Sequence, residues 1–140
     1  MIGDLIRRAR LARGWSQRDL AKRAGVLRNT VHLAEVEKNP PLPRTVAGIG
    51  RALDLDPATL AGLPAWADAD MGARLAILRW RKGLSQIAAA RLAGVAGTSL
   101  CLWERGERAP RPNLLDCLTL ALCGRTAEVL EGEDPGWRHE

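Results

Sequence analysis

The chain has 140 residues, 46% of them hydrophobic, and carries 21 Lys/Arg against 16 Asp/Glu for a formal net charge of +5. A basic balance favours a polyanionic partner through attraction and counterion release, although charge alone does not establish one. Three cysteines with no CxxC spacing argue against a disulfide framework and a zinc site, and the absence of Phe and Tyr leaves Leu, Ala, Ile, Val and Trp to build any core.

A first helix is expected over Ile2–Arg13, with Ile2, Leu5, Ile6 and Ala9 on one face and Arg7, Arg8 and Arg10 on others, where they read as a solvated surface. Asp4, Arg7 and Arg8 also interrupt any apolar region that could serve as a secretory signal. Gly14 closes this helix. Ser16 suits the N-cap of a second helix, Gln17–Ala24, and Asp19 can return the bond of a capping box. Leu20, Ala21 and Ala24 recur at helical spacing, and Gly25 supplies the left-handed residue that ends the helix. A third helix over about Arg28–Glu37 buries Val31 and Ala34. Leu27 stands where a capping hydroxyl would serve, which leaves Asn29 or water to take the cap. The prolines of Lys38–Pro43 force a loop. A fourth helix, Arg44–Leu53, turns Val46, Ile49 and Leu53 inward, and Asp56-Pro57 caps and starts a short fifth helix ending at Gly62.

The same pattern recurs 69 positions later. Gly83-Leu84-Ser85-Gln86 repeats Gly14-Trp15-Ser16-Gln17, Ala93-Gly94-Val95 repeats Ala24-Gly25-Val26, Glu104 repeats Glu35, and Pro110 and Pro112 repeat Pro41 and Pro43. The chain therefore divides into one copy at residues 1–63, a connector at 64–70, a second copy at 71–132 and a tail at 133–140. In copy two, Leu75, Ile77 and Leu78 give the first helix an apolar side, Ser85 caps the second, Gly97 or Thr98 opens the third, Pro112 starts the fourth and Thr126 caps the fifth. Residues 1–63 hold eleven basic against six acidic side chains and residues 71–131 nine against five, so both copies are basic and the connector and tail are acidic. Seven connecting residues cannot let the copies separate widely. The most apolar run, 87–102, is too short and broken to span a bilayer.

The pattern Gln17, Ala21, Gly25, Val26, Val31, Glu35 resembles the phage-repressor-like helix-turn-helix family of the Cro/XRE type, over residues 2–62 and again in copy two. The resemblance implies an all-α fold of two tandem five-helix domains, with the third helix reading double-stranded DNA in the major groove. The candidate base readers are then Arg28, Asn29, His32 and Leu33, since Arg pairs bidentately with guanine, Asn with adenine, and Leu packs on a thymine methyl. The family's phosphate-binding glutamine falls on Gln17 and Gln86, and Arg18, Lys38 and Arg44 are further phosphate candidates. Copy two places Gly97, Thr98, Cys101 and Leu102 at the reading positions and offers Arg105, Arg108 and Arg111 to phosphate. It therefore either holds DNA without choosing sequence or has exchanged reading for a protein contact.

Trp103 matches Ala34 and reads as core, whereas Trp66 and Trp137 are candidates for sealing an interface between copies or chains, with burial under a neighbouring helix as the alternative. Ser16 and Ser85 are caps rather than nucleophiles, and His32 and His139 have no companion acid at a telling spacing, so no catalytic, metal or cofactor site is expected. The reading is a cytoplasmic transcriptional regulator, a repressor acting as a homodimer on DNA. The alternative is a protein-interaction or architectural module that keeps the fold and little sequence reading.

Overall fold

A computed structural model describes residues 2–36 and 41–137 of the chain, and among these it contains nine α-helices and no strand. The capping chemistry sets the element boundaries. Ser16 Oγ accepts from the Asp19 N–H at 3.1 Å while Asp19 accepts from the Ser16 N–H at 2.9 Å, which closes the capping box between α1 (Ile2–Ala12) and α2 (Gln17–Ala24). Gly25 ends α2 in the left-handed region, and α3 (Arg28–Val36) follows after a two-residue turn. Proline at the first turn starts α4 (Pro43–Leu53), one residue earlier than expected, and Asp56 caps α5 (Pro57–Leu60) through the Ala58 N–H.

Copy two repeats the series as α6 (Met71–Lys82), α7 (Gln86–Ala93), α8 (Gly97–Arg105) and α9 (Pro112–Cys123). Its fifth element is a 3-10 turn, Ala127–Glu131, and Thr126 makes no side-chain cap there. Asp116 of α9 accepts the Ala127 N–H at 2.7 Å instead, so a carboxylate from the neighbouring helix does what the expected threonine does not.

In copy one, α1 packs on α3 and α2 packs on α3 and α4 around Ile6, Leu20, Val31 and Ile49. The buried row of α1 is Ile2, Ile6 and Arg10 at steps of four, which leaves Leu5 exposed rather than in the core as its apolar character suggested. Beside this row position 3 must be glycine, because a Cβ there would collide with the Glu35 carbonyl, and Gly72 meets the Trp103 and Glu104 carbonyls in the same way. In copy two the core is Leu75, Ile77, Leu100 and Leu118, with Trp103 filling the place of Ala34 as expected.

The copies join head to tail. Helix α6 packs on α4 and α5 of copy one as well as on α8 and α9 of its own copy, so Leu75, Ala76, Ile77, Leu78, Arg79 and Arg81 are all buried. The expected one-sided apolar face is thus a helix buried around most of its circumference. Trp80 packs against both cores, and Gly83 comes so close to α4 that a Cβ would lie 2.9 Å from Ala47 Cβ. No packing of comparable extent joins α1 to α9 among the described residues, so the two copies are not related by a two-fold axis.

Polar bonds fasten the junction. Arg81 donates to both Asp56 oxygens and, from its other nitrogen, to Asp134 Oδ1 at 2.6 Å. Burial acts to lower the Arg81 pKa, but the hydrogen bonds to Asp134 and Asp56 overcome it and hold the guanidinium charged above its ordinary range. Residues 64–70 contain a 3-10 turn, Trp66–Asp68. Trp66, for which an interface and burial were both open, is 5% exposed in the single chain and belongs to the copy-two core. Its Nε1–H donates to the Gly132 carbonyl at 3.0 Å, and Arg74 donates to the carbonyls of Trp66 and Leu130.

Candidate nucleic-acid interface

Helix α3 turns Val31, Ala34 and Glu35 inward, which fixes the opposite side outward by helical period. Arg28, Asn29, His32 and Leu33 all lie on that exposed side, with Leu33 42% exposed. Leu27, which stands in place of a capping hydroxyl, precedes α3 and is 76% exposed. An apolar side chain this open at the head of the same helix extends the face that sequence reasoning confined to four residues.

Beneath α3, a buried ion pair holds the start of α2. Arg10 donates to Glu35 through Nε at 2.8 Å and Nη2 at 3.0 Å and to the Trp15 carbonyl through Nη1 at 2.8 Å. Gln17 Nε2 donates to Glu35 Oε1 at 3.5 Å. The sequence places Arg10 on a solvated face, yet it is buried, because Glu35 lies on the helix it packs against and two charges together can leave water when their hydrogen bonds are satisfied. The missed signal was in the repeat: Arg79 occupies the same place in copy two. It donates to Glu104 at 2.7 and 2.9 Å and to the Leu84 carbonyl, and Gln86 Nε2 donates to Glu104 Oε1 at 3.2 Å.

Arg10, Ser16, Gln17, Arg18 and Arg28 line an open cleft of about 410 Å³ at the N-terminus of α2. The exposed guanidinium groups of Arg18 and Arg28 and the positive end of a helix converge there, which makes the cleft attractive to anions, while the charge of Arg10 is already matched by Glu35. Of the remaining phosphate candidates in copy one, Arg44 is exposed but flanks Gly83 at the junction, and Lys38 lies outside the described residues. Trp15 is stacked by Arg23 at 4.4 Å and Arg13 at 5.3 Å from its centroid, adding two more cations around α2.

Copy two keeps the scaffold and changes the surface. Gln86 is held as Gln17 is, and Arg105, Arg108 and Arg111 are exposed in and after the last turn of α8. The exposed arginines Arg18, Arg23 and Arg51 are replaced by Ile87, Leu92 and Leu120, at 63%, 61% and 51% exposure. Along α8, Gly97 and Thr98 replace Arg28 and Asn29, and Cys101 and Leu102 replace His32 and Leu33. Trp137 is half-buried at the end of the described tail.

A serine-capped helix followed across a glycine turn by a second helix with one side buried and the other presented outward, twice in one chain, defines a helix-turn-helix protein. The Helix-turn-helix domain family matches residues 2–63 and again residues 70–131. The chain belongs to that family as a tandem pair of XRE-like copies, which puts it in the general class of DNA-binding regulators. Comparison with curated proteins and with solved structures gives no match. No helix among the described residues is long and apolar enough to cross a membrane.

Proposed function

We propose that the chain is a sequence-specific transcriptional regulator, a repressor that occupies an operator in the cytoplasm and carries out no catalysis. Residues 1–63 form the reading unit, with Arg28, Asn29, His32 and Leu33 facing base edges in the major groove. Gln17, Arg18, Lys38 and Arg44 grip phosphates beside it. Residues 71–132, linked through 64–70 and followed by the tail 133–140, form the second unit. The observation that carries this reading is the coincidence of two features on one side of copy one: the exposed polar row of α3, and the cleft where Arg18 and Arg28 meet the N-terminus of α2. A reading row supplies sequence choice and a cationic cleft supplies affinity, which are separate requirements for an operator-binding protein.

The test is selection of bound fragments from a random duplex library by the full chain, read by sequencing. A recovered motif supports the proposal. Equal recovery of all sequences would sink it in favour of the second reading, an interaction or architectural module. One observation favours that second reading for copy two alone, namely the exposed Ile87 beside Gly97 where copy one has Arg18 and Arg28.

In this proposal the active species is a homodimer. A single chain carries one furnished reading helix, and the head-to-tail packing of the copies does not set α3 and α8 as a two-fold pair for a palindrome. Gln86, Arg105, Arg108 and Arg111 then add sequence-independent contacts wherever copy two reaches the duplex.

A further inference from the structure

We infer that Leu27 is a further specificity-determining residue of the reading face: its side chain, at the head of α3, takes the 5-methyl group of a thymine beside the base that Arg28 reads. The inference rests on the DNA-reading proposal above and adds one chemical group to the operator.

The fold gives the Leu27 side chain nothing to do. It is 76% exposed and packs against neither hydrophobic core. What the fold uses at this position is the backbone, because the Leu27 carbonyl accepts from the N–H groups of Thr30 at 3.0 Å and Val31 at 3.3 Å and so marks where α3 begins. A side-chain oxygen at such a place accepts an N–H of the first turn, as Ser16, Asp56, Asp70 and Ser85 do for α2, α5, α6 and α7. Leucine forgoes that bond and leaves apolar surface in water. Copy two shows how little is required here. Ala96 opens α8 with the same backbone bond, its carbonyl accepting from the Leu100 N–H at 3.2 Å, and it is followed by Gly97 and Thr98 where copy one has Arg28 and Asn29. The large apolar side chain thus stands in the copy whose helix carries long polar readers.

Its position and chemistry together select a methyl group. The N-terminal residues of a reading helix are those that reach base edges in the major groove. Arg28 follows Leu27 directly and lines the cleft at the N-terminus of α2, so a duplex seated on these two arginine-bearing elements also covers Leu27. The donors and acceptors displayed in that groove need polar partners, and the C5-methyl of thymine is the group that an aliphatic side chain suits. Leu33 cannot serve the same methyl. Six residues separate the two leucines, about 9 Å along a helix axis, against a rise of about 3.4 Å per base pair, so they meet different base pairs. Leu27 therefore adds a position next to that of Arg28 and does not duplicate Leu33.

The test starts from the duplex that the full chain recovers from a random library, remade with each thymine in turn replaced by deoxyuridine, which removes the 5-methyl group and keeps the pairing. Wild type is expected to lose roughly three- to tenfold in affinity at one thymine adjoining the base pair whose choice Arg28→Ala relaxes. Leu27→Ala should bind the thymine and deoxyuridine duplexes equally at that position and still distinguish them at the thymine met by Leu33. Leu27→Ser supplies the missing cap, so it should melt higher than wild type while showing the same loss of methyl discrimination, a separation that a structural role for Leu27 does not produce. If Leu27→Ala folds poorly, Leu27→Ser alone decides. A folded variant that keeps the wild-type preference at every thymine overturns the inference, as does a wild-type chain indifferent to every replacement. Those outcomes leave the recovered motif standing, whereas recovery of no motif removes the DNA reading and this inference together.

Discussion

The guanidinium of Arg81, 6% exposed in α6, lies 2.8 Å from the carboxylate of Asp56 at the head of α5, and this pair joins copy two to copy one. A charge buried in this way is costly once its partner is removed. Arg81→Ala strands Asp56 and frees the tail together, so it should lower the unfolding free energy by about 3 kcal/mol. Asp134→Asn removes a partner that is 43% exposed and should cost under about 1 kcal/mol. Urea unfolding followed by circular dichroism, with both variants in parallel, checks the order.

Acid should loosen this junction. Arg81 hydrogen-bonds to Asp134 and holds its carboxyl below the ordinary value of 3.8, with burial opposing and the Gly136 N–H assisting. A carboxyl whose folded pKa is depressed contributes stability that is complete above its unfolded value and is lost as the pH falls through the folded one. The gap in melting temperature between wild type and Asp134→Asn should therefore be constant from about pH 6 to 8 and close below about pH 4. A gap that widens in acid would contradict the assignment.

The ion pair under the reading helix gives a third expectation. Glu35→Ala leaves Arg10 buried without its carboxylate and should destabilise copy one by about 3–5 kcal/mol, and Glu104→Ala should do the same in copy two. Since Glu35 also accepts from Gln17, the conservative Glu35→Gln should fold better than Glu35→Ala while still weakening DNA binding. Binding at wild-type strength by a folded Glu35→Gln would separate Gln17 from the phosphate role.

On DNA, Arg28→Ala and Asn29→Ala should each cost about 1–3 kcal/mol of operator binding and relax the choice at one base pair. Gln17→Ala should weaken specific and non-specific binding alike, because phosphates carry no sequence. An Arg105/Arg108/Arg111 triple-alanine variant should flatten the slope of log affinity against log salt by roughly 0.9 for each phosphate that the arginines neutralise. An unchanged slope would mean that copy two faces away from the duplex.

The helix ends were legible in the sequence because their signals are local: Ser16 with Asp19, Gly25, Asp56 with Pro57, and Pro112 each act within four residues. The tandem architecture was legible because the signals repeat at a fixed interval. Arg10 and Arg79 were not, since an arginine on a helix reads as surface until its partner, 25 residues away, is brought under it. The circumferential burial of α6 escaped for a related reason: one of its sides is covered by the other copy, and local periodicity records only the side facing its own core. For Trp66 the sequence left burial and an interface side by side, because a tryptophan in a seven-residue connector gives no sign that the chain end returns to cover it at Gly132.

The close seating of Gly83 on Ala47, with Trp80 packed into both cores, opposes bending between the two halves of the chain. In the proposed homodimer, the distance and phase between the two α3 helices would then be dictated by the protein, with little slack for the DNA to exploit. One base pair inserted between half-sites shifts the second by about 3.4 Å and turns it by roughly a tenth of a revolution. A jointed regulator would absorb that change, and this one should instead discriminate operators by their spacer length.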